Sequence, residues 1–220
     1  MAAPKITLYY DIVSPFAYMA FHILRNSPTF SKCELTFVPI FLGGLMSMCG
    51  NTTPISIKNK SKWINVERLR WARYFSVPIA EKAPEGFPQL TLGVQRALTA
   101  ISQKAPDQLA PATEAIWNEF WVKGNGKATQ PEGFIPILEN VLGKAEAKAI
   151  VEAANGPEIK ARFSANTQQA FDSGAFGLPW FECTNSKGET ERFWGIDHLG
   201  QVADFLELDR SVERGFRAYL

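Results

Sequence analysis

The chain is poor in the residues that redox and metal chemistry require. Its 220 residues include three cysteines, Cys33, Cys49 and Cys183, and two histidines, His22 and His198. No two cysteines stand at Cys-x-x-Cys spacing, so the sequence carries no dithiol motif of its own. An odd, scattered set argues against a disulfide framework and fits a reducing, intracellular compartment, with the three thiols read as ordinary buried or half-buried side chains. Histidines and cysteines never fall at ligand spacing, so no metal site is expected. A Gly-x-Ser-x-Gly elbow is also missing. Charge of neither sign is in excess: 23 Lys and Arg against 22 Asp and Glu leave a net +1, which argues against nucleic acid or an anionic membrane as the main partner. No apolar run approaches the roughly 20 residues of a membrane span. Met1 to Lys5 lead so quickly into a strand pattern that neither a signal peptide nor a transit peptide is expected.

What the chain does have is the composition of a soluble globular protein, 46% hydrophobic and 20% charged, with enough length to bury a sizeable core. Ile6 to Tyr10 read as a buried strand. Asp11 to Ser14 turn the chain, and Pro15 opens a helix to about Asn26, proline suiting a first helical position that needs no N–H. Phe16, Ala20, Ile23 and Leu24 form its apolar stripe, and Leu35 to Ile40 read as a second strand. From Leu42 to about Asn155 the pattern turns helical. Leu90, Val94, Leu98 and Ile101 recur at near-helical spacing. Ile116, Trp117, Phe120 and Trp121 make a dense apolar face that Gly124 ends, and Thr129 to Glu132 read as a capping box. After Asn155 the first pattern returns: a helix from Pro157 capped by Gly174, strands at Trp180–Cys183 and Thr190–Trp194, and a helix from Asp197 to about Leu206. The order β-α-β, helical block, α-β-β-α predicts an α/β thioredoxin-like fold with an inserted all-helical domain, residues 1–41 and 156–220 forming the first and 42–155 the second.

In such a fold the N-terminal strand-turn-helix and a late Gly-Leu-Pro before a strand make the two halves of a redox site. Here the first half reads Ser14-Pro15-Phe16-Ala17, with a hydroxyl where a reactive thiol would stand. Serine cannot exchange disulfides, but at a helix N-terminus it can donate a hydrogen bond to another molecule's thiolate. A free thiol of pKa ~8.5 is only about 3% ionised at pH 7. Lowering that pKa by ~2 units requires about 2.7 kcal/mol of preferential thiolate stabilisation, which one charge-assisted hydrogen bond and a helix terminus together approach. The plainer role for Ser14 is a helix cap. A Ser-His pair is the weaker reading, because His22 lies two turns along Ser14's own helix and points away from its start. Leu178-Pro179, if cis, would present the Leu178 backbone to an extended peptide. Lys58, Lys60 and Lys62 read as a solvated basic face able to hold a carboxylate, and Arg68, Arg70 and Arg73 as surface or interface charges.

These landmarks together resemble the kappa-class glutathione transferases, within the DsbA-like branch that also holds the 2-hydroxychromene-2-carboxylate isomerases. The residues that carry the resemblance are Tyr10-Asp11-Ile12-Val13-Ser14-Pro15-Phe16, Gly50-Asn51-Thr52-Thr53-Pro54, Gly174-Ala175-Phe176-Gly177-Leu178-Pro179 and Phe193-Trp194-Gly195-Ile196-Asp197. The resemblance implies a homodimer that uses glutathione, transferring it to a small electrophilic or hydrophobic second substrate or reducing a peroxide. An isomerase using the same thiolate, or a redox-inactive thioredoxin-like binding module, are the alternatives. It further implies Ser14 as the catalytic serine, Asn51 in the loop over the thiol, Lys60 near the glycine carboxylate and Leu178 before a cis Pro179. Asp197 would lie in the γ-glutamyl pocket, with Glu67 reaching across the dimer to the γ-glutamyl amine. Two positions depart from the pattern: Ile196 replaces a common serine, so Ile196→Ser is expected to restore a donor and tighten glutathione binding, and Glu67 is one methylene longer than the usual aspartate. The C-terminal Ala218-Tyr219-Leu220 is a poor version of the peroxisomal Ser-Lys-Leu signal.

Overall fold

The computed structural model describes residues 2–211, so the C-terminal tripeptide lies outside the described residues. Strand β1 (Lys5–Tyr10) buries Ile6, Leu8, Tyr9 and Tyr10 on both of its faces, which is why its apolar residues run nearly unbroken. It pairs in parallel with β2 (Glu34–Pro39), and α1 (Pro15–Asn26) makes the crossover between them. On its other side β1 pairs antiparallel with β3 (Trp180–Thr184), which pairs antiparallel with β4 (Thr190–Trp194), giving the order β2-β1-β3-β4. The edge strand β4 is mostly exposed, and its Arg192 pairs with Glu182 of β3.

Between β2 and β3 come α2 (Leu42–Met48), α3 (Lys60–Tyr74), α4 (Leu92–Lys104), α5 (Leu109–Trp117), α6 (Pro131–Leu142), α7 (Lys144–Ala154) and α8 (Pro157–Asp172), and α9 (Leu199–Phe205) follows β4. The architecture is a thioredoxin-like α/β fold with a helical insertion. One continuous apolar core joins sheet residues such as Ile6 and Phe181 to Ile116, Phe120 and Leu138 of the insertion. None of the described helices is long and apolar enough to cross a membrane.

Several local expectations need correction. Thr129 does not cap α6. It sits buried in a short 3-10 turn, and Gln130 takes the cap position without a side-chain bond. Leu90 precedes α4 and is exposed. The last helix begins as a 3-10 turn, Ile196–His198, before α9. Arg68 is not a surface charge but almost fully buried. Its guanidinium donates to Asn65 Oδ1 and to the backbone carbonyls of Ala80 and Glu81, and lies 5.8 Å from the Trp121 ring centroid. Three acceptors and an aromatic face replace the water that an arginine otherwise keeps.

The insertion is stitched to the C-terminal ends of the parallel strands by buried hydrogen bonds. Gln95 Nε2 of α4 donates to the carbonyls of Tyr10 (2.9 Å) and Ile40 (2.7 Å), and the Tyr10 hydroxyl meets Thr113 Oγ1 of α5 at 2.8 Å. The indoles of Trp117 and Trp121 both donate to the Ile12 carbonyl, at 3.1 and 3.0 Å. A single π turn, Asn118–Val122, carries the second of them, and Gly124 at φ +72° ends that run as the sequence predicts.

Candidate functional site

The turn after β1 is closed by Ser14 N–H donating to the Asp11 carbonyl at 3.0 Å. Ser14 then caps α1: its Oγ accepts from Ala17 N–H at 3.1 Å, and the side chain is only 5% exposed. Capping and thiol binding are compatible. The cap uses a hydroxyl lone pair, while the hydroxyl proton has no acceptor among the described residues.

Strand register places the second half of the site beside this turn. Tyr9 faces Trp180, so Leu178 and Pro179 lie just beyond the paired end of β1. The Leu178–Pro179 peptide is cis. Neither the N–H nor the carbonyl of Leu178 makes a hydrogen bond among the described residues, whereas the Pro179 carbonyl accepts from Gly195 N–H at 3.0 Å. That bond ties the end of β4 to the same corner and sets Ile196 and Asp197 beside it. Gly195 has φ +91°, and a Cβ there would fall 2.3 Å from Asp197 Oδ1, so the Asp197 carboxylate folds against a backbone only glycine can offer. Asp197 is more than half exposed, with Oδ1 3.4 Å from His198 Nδ1.

Asn51 is held over the same corner. Its Nδ2 donates to the Phe176 carbonyl at 2.9 Å, and Cys49 Sγ donates to the Ala175 carbonyl at 3.3 Å. Thus the loop after α2 is fastened to the segment that leads into Leu178. The structure brings together Ser14, Asn51, Leu178, Pro179 and the backbone of Ile196 and Asp197. The Ile196 side chain does not join them: it is 3% exposed and belongs to the core. Lys60 and Glu67 lie on α3, which packs on α1, and no polar contact links them to Ser14. Lys60 is exposed at the first position of α3, and the Glu67 carboxylate accepts from Arg70 Nη1 of its own helix at 2.7 Å. His22 stacks edge-on against Tyr18 and is pushed down in pKa by burial. Cys33 and Cys183 are buried far enough to push their thiols up, Cys33 to about 11.

Comparison with known proteins places this arrangement. Residues 5–207 match the DSBA-like thioredoxin domain. The chain belongs to that family. Within it, the chain is similar to glutathione S-transferase kappa 1 of Caenorhabditis elegans, 25% identical over 210 residues, which span 93% of this chain and 91% of the relative. It is also similar to 2-hydroxychromene-2-carboxylate isomerase of Sphingobium xenophagum, 26% identical over 204 residues, 92% of this chain and 95% of that one. Among solved structures, a 2-hydroxychromene-2-carboxylate isomerase superimposes with a TM-score of 0.75 at 20% identity, covering 92% of this chain and 94% of the other. This DSBA-like domain carries no cysteine at either end of its Ser14-Pro15-Phe16-Ala17 segment.

Asp11 is the site residue that sequence reasoning passed over. Fully buried, its carboxylate accepts from Val13 N–H (3.1 Å) on one oxygen and Leu42 N–H (2.9 Å) on the other, with Thr91 as a further side-chain partner. It joins the Ser14 turn, the start of α2 and the approach to α4. Burial pushes its pKa up from 3.8 to about 6, against the opposing pull of the bonds from Leu42, Thr91 and Val13. The folded state therefore holds this proton more tightly than the unfolded chain. Its contribution to stability is complete below the unfolded pKa and is lost as pH rises through the folded one, by about 3 kcal/mol in all. Asp11→Asn cannot titrate, so its unfolding free energy relative to the parent should improve by that amount between about pH 4 and 6. Urea melts at several pH values check this; a difference that stays constant with pH would mean that Asp11 titrates in the fold as in the unfolded chain.

Proposed function

We propose that this protein binds glutathione, stabilises its thiolate through the Ser14 hydroxyl and transfers it to small electrophiles. The observation that carries the reading is the uncommitted Ser14 hydroxyl proton at the start of α1, beside a Leu178 backbone whose N–H and carbonyl are both free to pair with an extended peptide. Glutathione is a peptide with a thiol at its centre, and these groups fit its cysteinyl part. When bound, it supplies the nucleophilic sulfur. Ser14 donates to that sulfur, Leu178 pairs with the cysteinyl backbone, and Asn51 closes the loop above it. Asp197 lies in the pocket for the γ-glutamyl group, and Lys60 receives the glycine carboxylate. With no thiol at Ser14 or Ala17, no mixed disulfide can form there. The second reading, favoured by the similarity to the Sphingobium isomerase, uses the same thiolate reversibly on an aromatic-degradation intermediate.

Three measurements test the reading. Thiolate absorbance of glutathione should appear on adding the protein at neutral pH, and an activated aryl halide should be consumed only when both are present. In an insulin-reduction assay the protein should not exceed the dithiothreitol background. Absence of any induced thiolate would sink the proposal.

We further propose a homodimer in which Glu67 completes the γ-glutamyl site of the partner. Trp63 (56% exposed) and Val66 (41%) leave an apolar surface on α3 beside Glu67. Glu67→Gln should weaken glutathione binding by about 1–3 kcal/mol while leaving the thiol pKa near its native value. A mixed dimer of one Ser14→Ala subunit and one Glu67→Gln subunit should keep about half of full activity if Glu67 acts in trans, since both defects then meet in one site. A monomer at micromolar concentration would end this part of the proposal.

A further inference from the structure

We infer that Trp117 and Trp121 are positioning residues for Ser14, acting jointly through the Ile12 carbonyl; the inference rests on the reading of Ser14 as the thiol-binding group. Ile12 lies in the Asp11–Ser14 turn and is fully buried. A carbonyl oxygen has two lone pairs, and here each meets an indole N–H, at 3.1 Å from Trp117 and 3.0 Å from Trp121. The same peptide unit contributes the Val13 N–H, which donates to Asp11 Oδ1 at 3.1 Å. The Ile12–Val13 peptide plane is therefore clamped at both ends, its oxygen by two indoles and its hydrogen by a carboxylate. Rotation of that plane would change the dihedral angles immediately before Ser14 and swing its hydroxyl, and a hydrogen bond to a thiolate depends steeply on that angle.

Packing alone does not account for this arrangement. Trp117 is fixed by Tyr10 (5.0 Å between ring centroids), Phe21 (4.9 Å) and Tyr18 (5.8 Å), and Trp121 by Phe87 (5.4 Å), Phe120 (5.2 Å) and the Arg68 guanidinium. A phenylalanine could make most of those ring contacts. Two N–H groups aimed at one carbonyl are a separate feature, and they come from one stretch of chain in which α5 runs into a π turn. The helical insertion thus grips the Ser14 turn at the Ile12 carbonyl, beside its bonds to Tyr10 and Asp11.

Because either indole alone satisfies the Ile12 carbonyl, the two should behave as a redundant pair. Trp117→Phe and Trp121→Phe singly should leave kcat within about threefold of the parent and the thiol pKa of bound glutathione almost unmoved. In the double variant the carbonyl is buried without a donor, a state costly enough to favour rotation of the peptide plane. We expect a loss in kcat of about 10–30-fold and a rise in the bound thiol pKa of about one unit, with the KM for glutathione changed less than threefold. A merely structural role would lower thermal stability without moving the thiol pKa. If the double phenylalanine variant does not fold, β-(3-benzothienyl)alanine at both positions keeps the indole shape without its N–H and carries the same expectation. Small, additive effects on kcat, or an unmoved thiol pKa in a folded double variant, would overturn the inference. Failure of the parent protein to lower the thiol pKa would overturn the reading of Ser14 itself, and is seen without any variant.

Discussion

Ser14→Ala is expected to slow glutathione-dependent turnover by roughly 10–150-fold, corresponding to a charge-assisted hydrogen bond of ~1.5–3 kcal/mol. The bond strengthens as the thiol ionises, so the loss should fall on catalysis more than on binding. The structure adds a second consequence, because the same oxygen caps α1 by accepting from Ala17 N–H. Losing that cap should cost about 1 kcal/mol of stability whether or not glutathione is present. The two roles separate experimentally. S-methylglutathione, which has no thiol proton, should bind parent and variant with nearly equal affinity. The absorbance titration of bound glutathione should show its thiol pKa rising in the variant. A lower melting temperature with an unchanged thiol pKa would leave Ser14 as a cap and nothing more.

Ile196→Ser should destabilise the fold by about 3–5 kcal/mol, a cost that the sequence expectation of tighter glutathione binding did not include. By alignment of motifs, serine at this position would offer a donor to the γ-glutamyl carboxylate. In the fold the Ile196 side chain is 3% exposed and packed in the core that also holds Leu199 and Val202. The substitution therefore opens a cavity and strands a hydroxyl among apolar neighbours. Chemical denaturation measures the loss directly. A stability change below about 1 kcal/mol together with tighter glutathione binding would restore the sequence reading.

The contrast between those two residues marks where the sequence was legible. Ser14, Pro15 and Gly174 announce their roles locally: a cap and a proline at the start of α1, and a left-handed glycine at φ +100° after α8. The strand pattern of β1 and the Gly-Leu-Pro before β3 were equally local. Arg68, Asp11 and the two tryptophans were misread or passed over because their partners are remote in sequence. Arg68 needs the carbonyls of Ala80 and Glu81, Asp11 needs Leu42 N–H, and Trp117 and Trp121 need a carbonyl about a hundred residues earlier, at separations of 105 and 109. A charge reads as surface and an indole as core until the fold supplies an acceptor. Thr129 failed for the opposite reason: its local pattern suited a cap, but the chain arrives at α6 through a 3-10 turn that buries it.

The position of β3 in the sheet also bears on how the molecule is made. β1 lies between β2 and β3, but β3 is Trp180–Thr184, beyond the whole helical insertion. A chain emerging from the ribosome can pair β1 with β2 early, yet one edge of β1 stays without a partner until most of the protein has been synthesised. Contacts of such long sequence separation are slow to close. Meanwhile the bonds from Gln95, Thr113, Trp117 and Trp121 to residues 10–12 are available first. The helices that grip the end of β1 in the finished protein are thus placed to anchor that strand before its second partner is made.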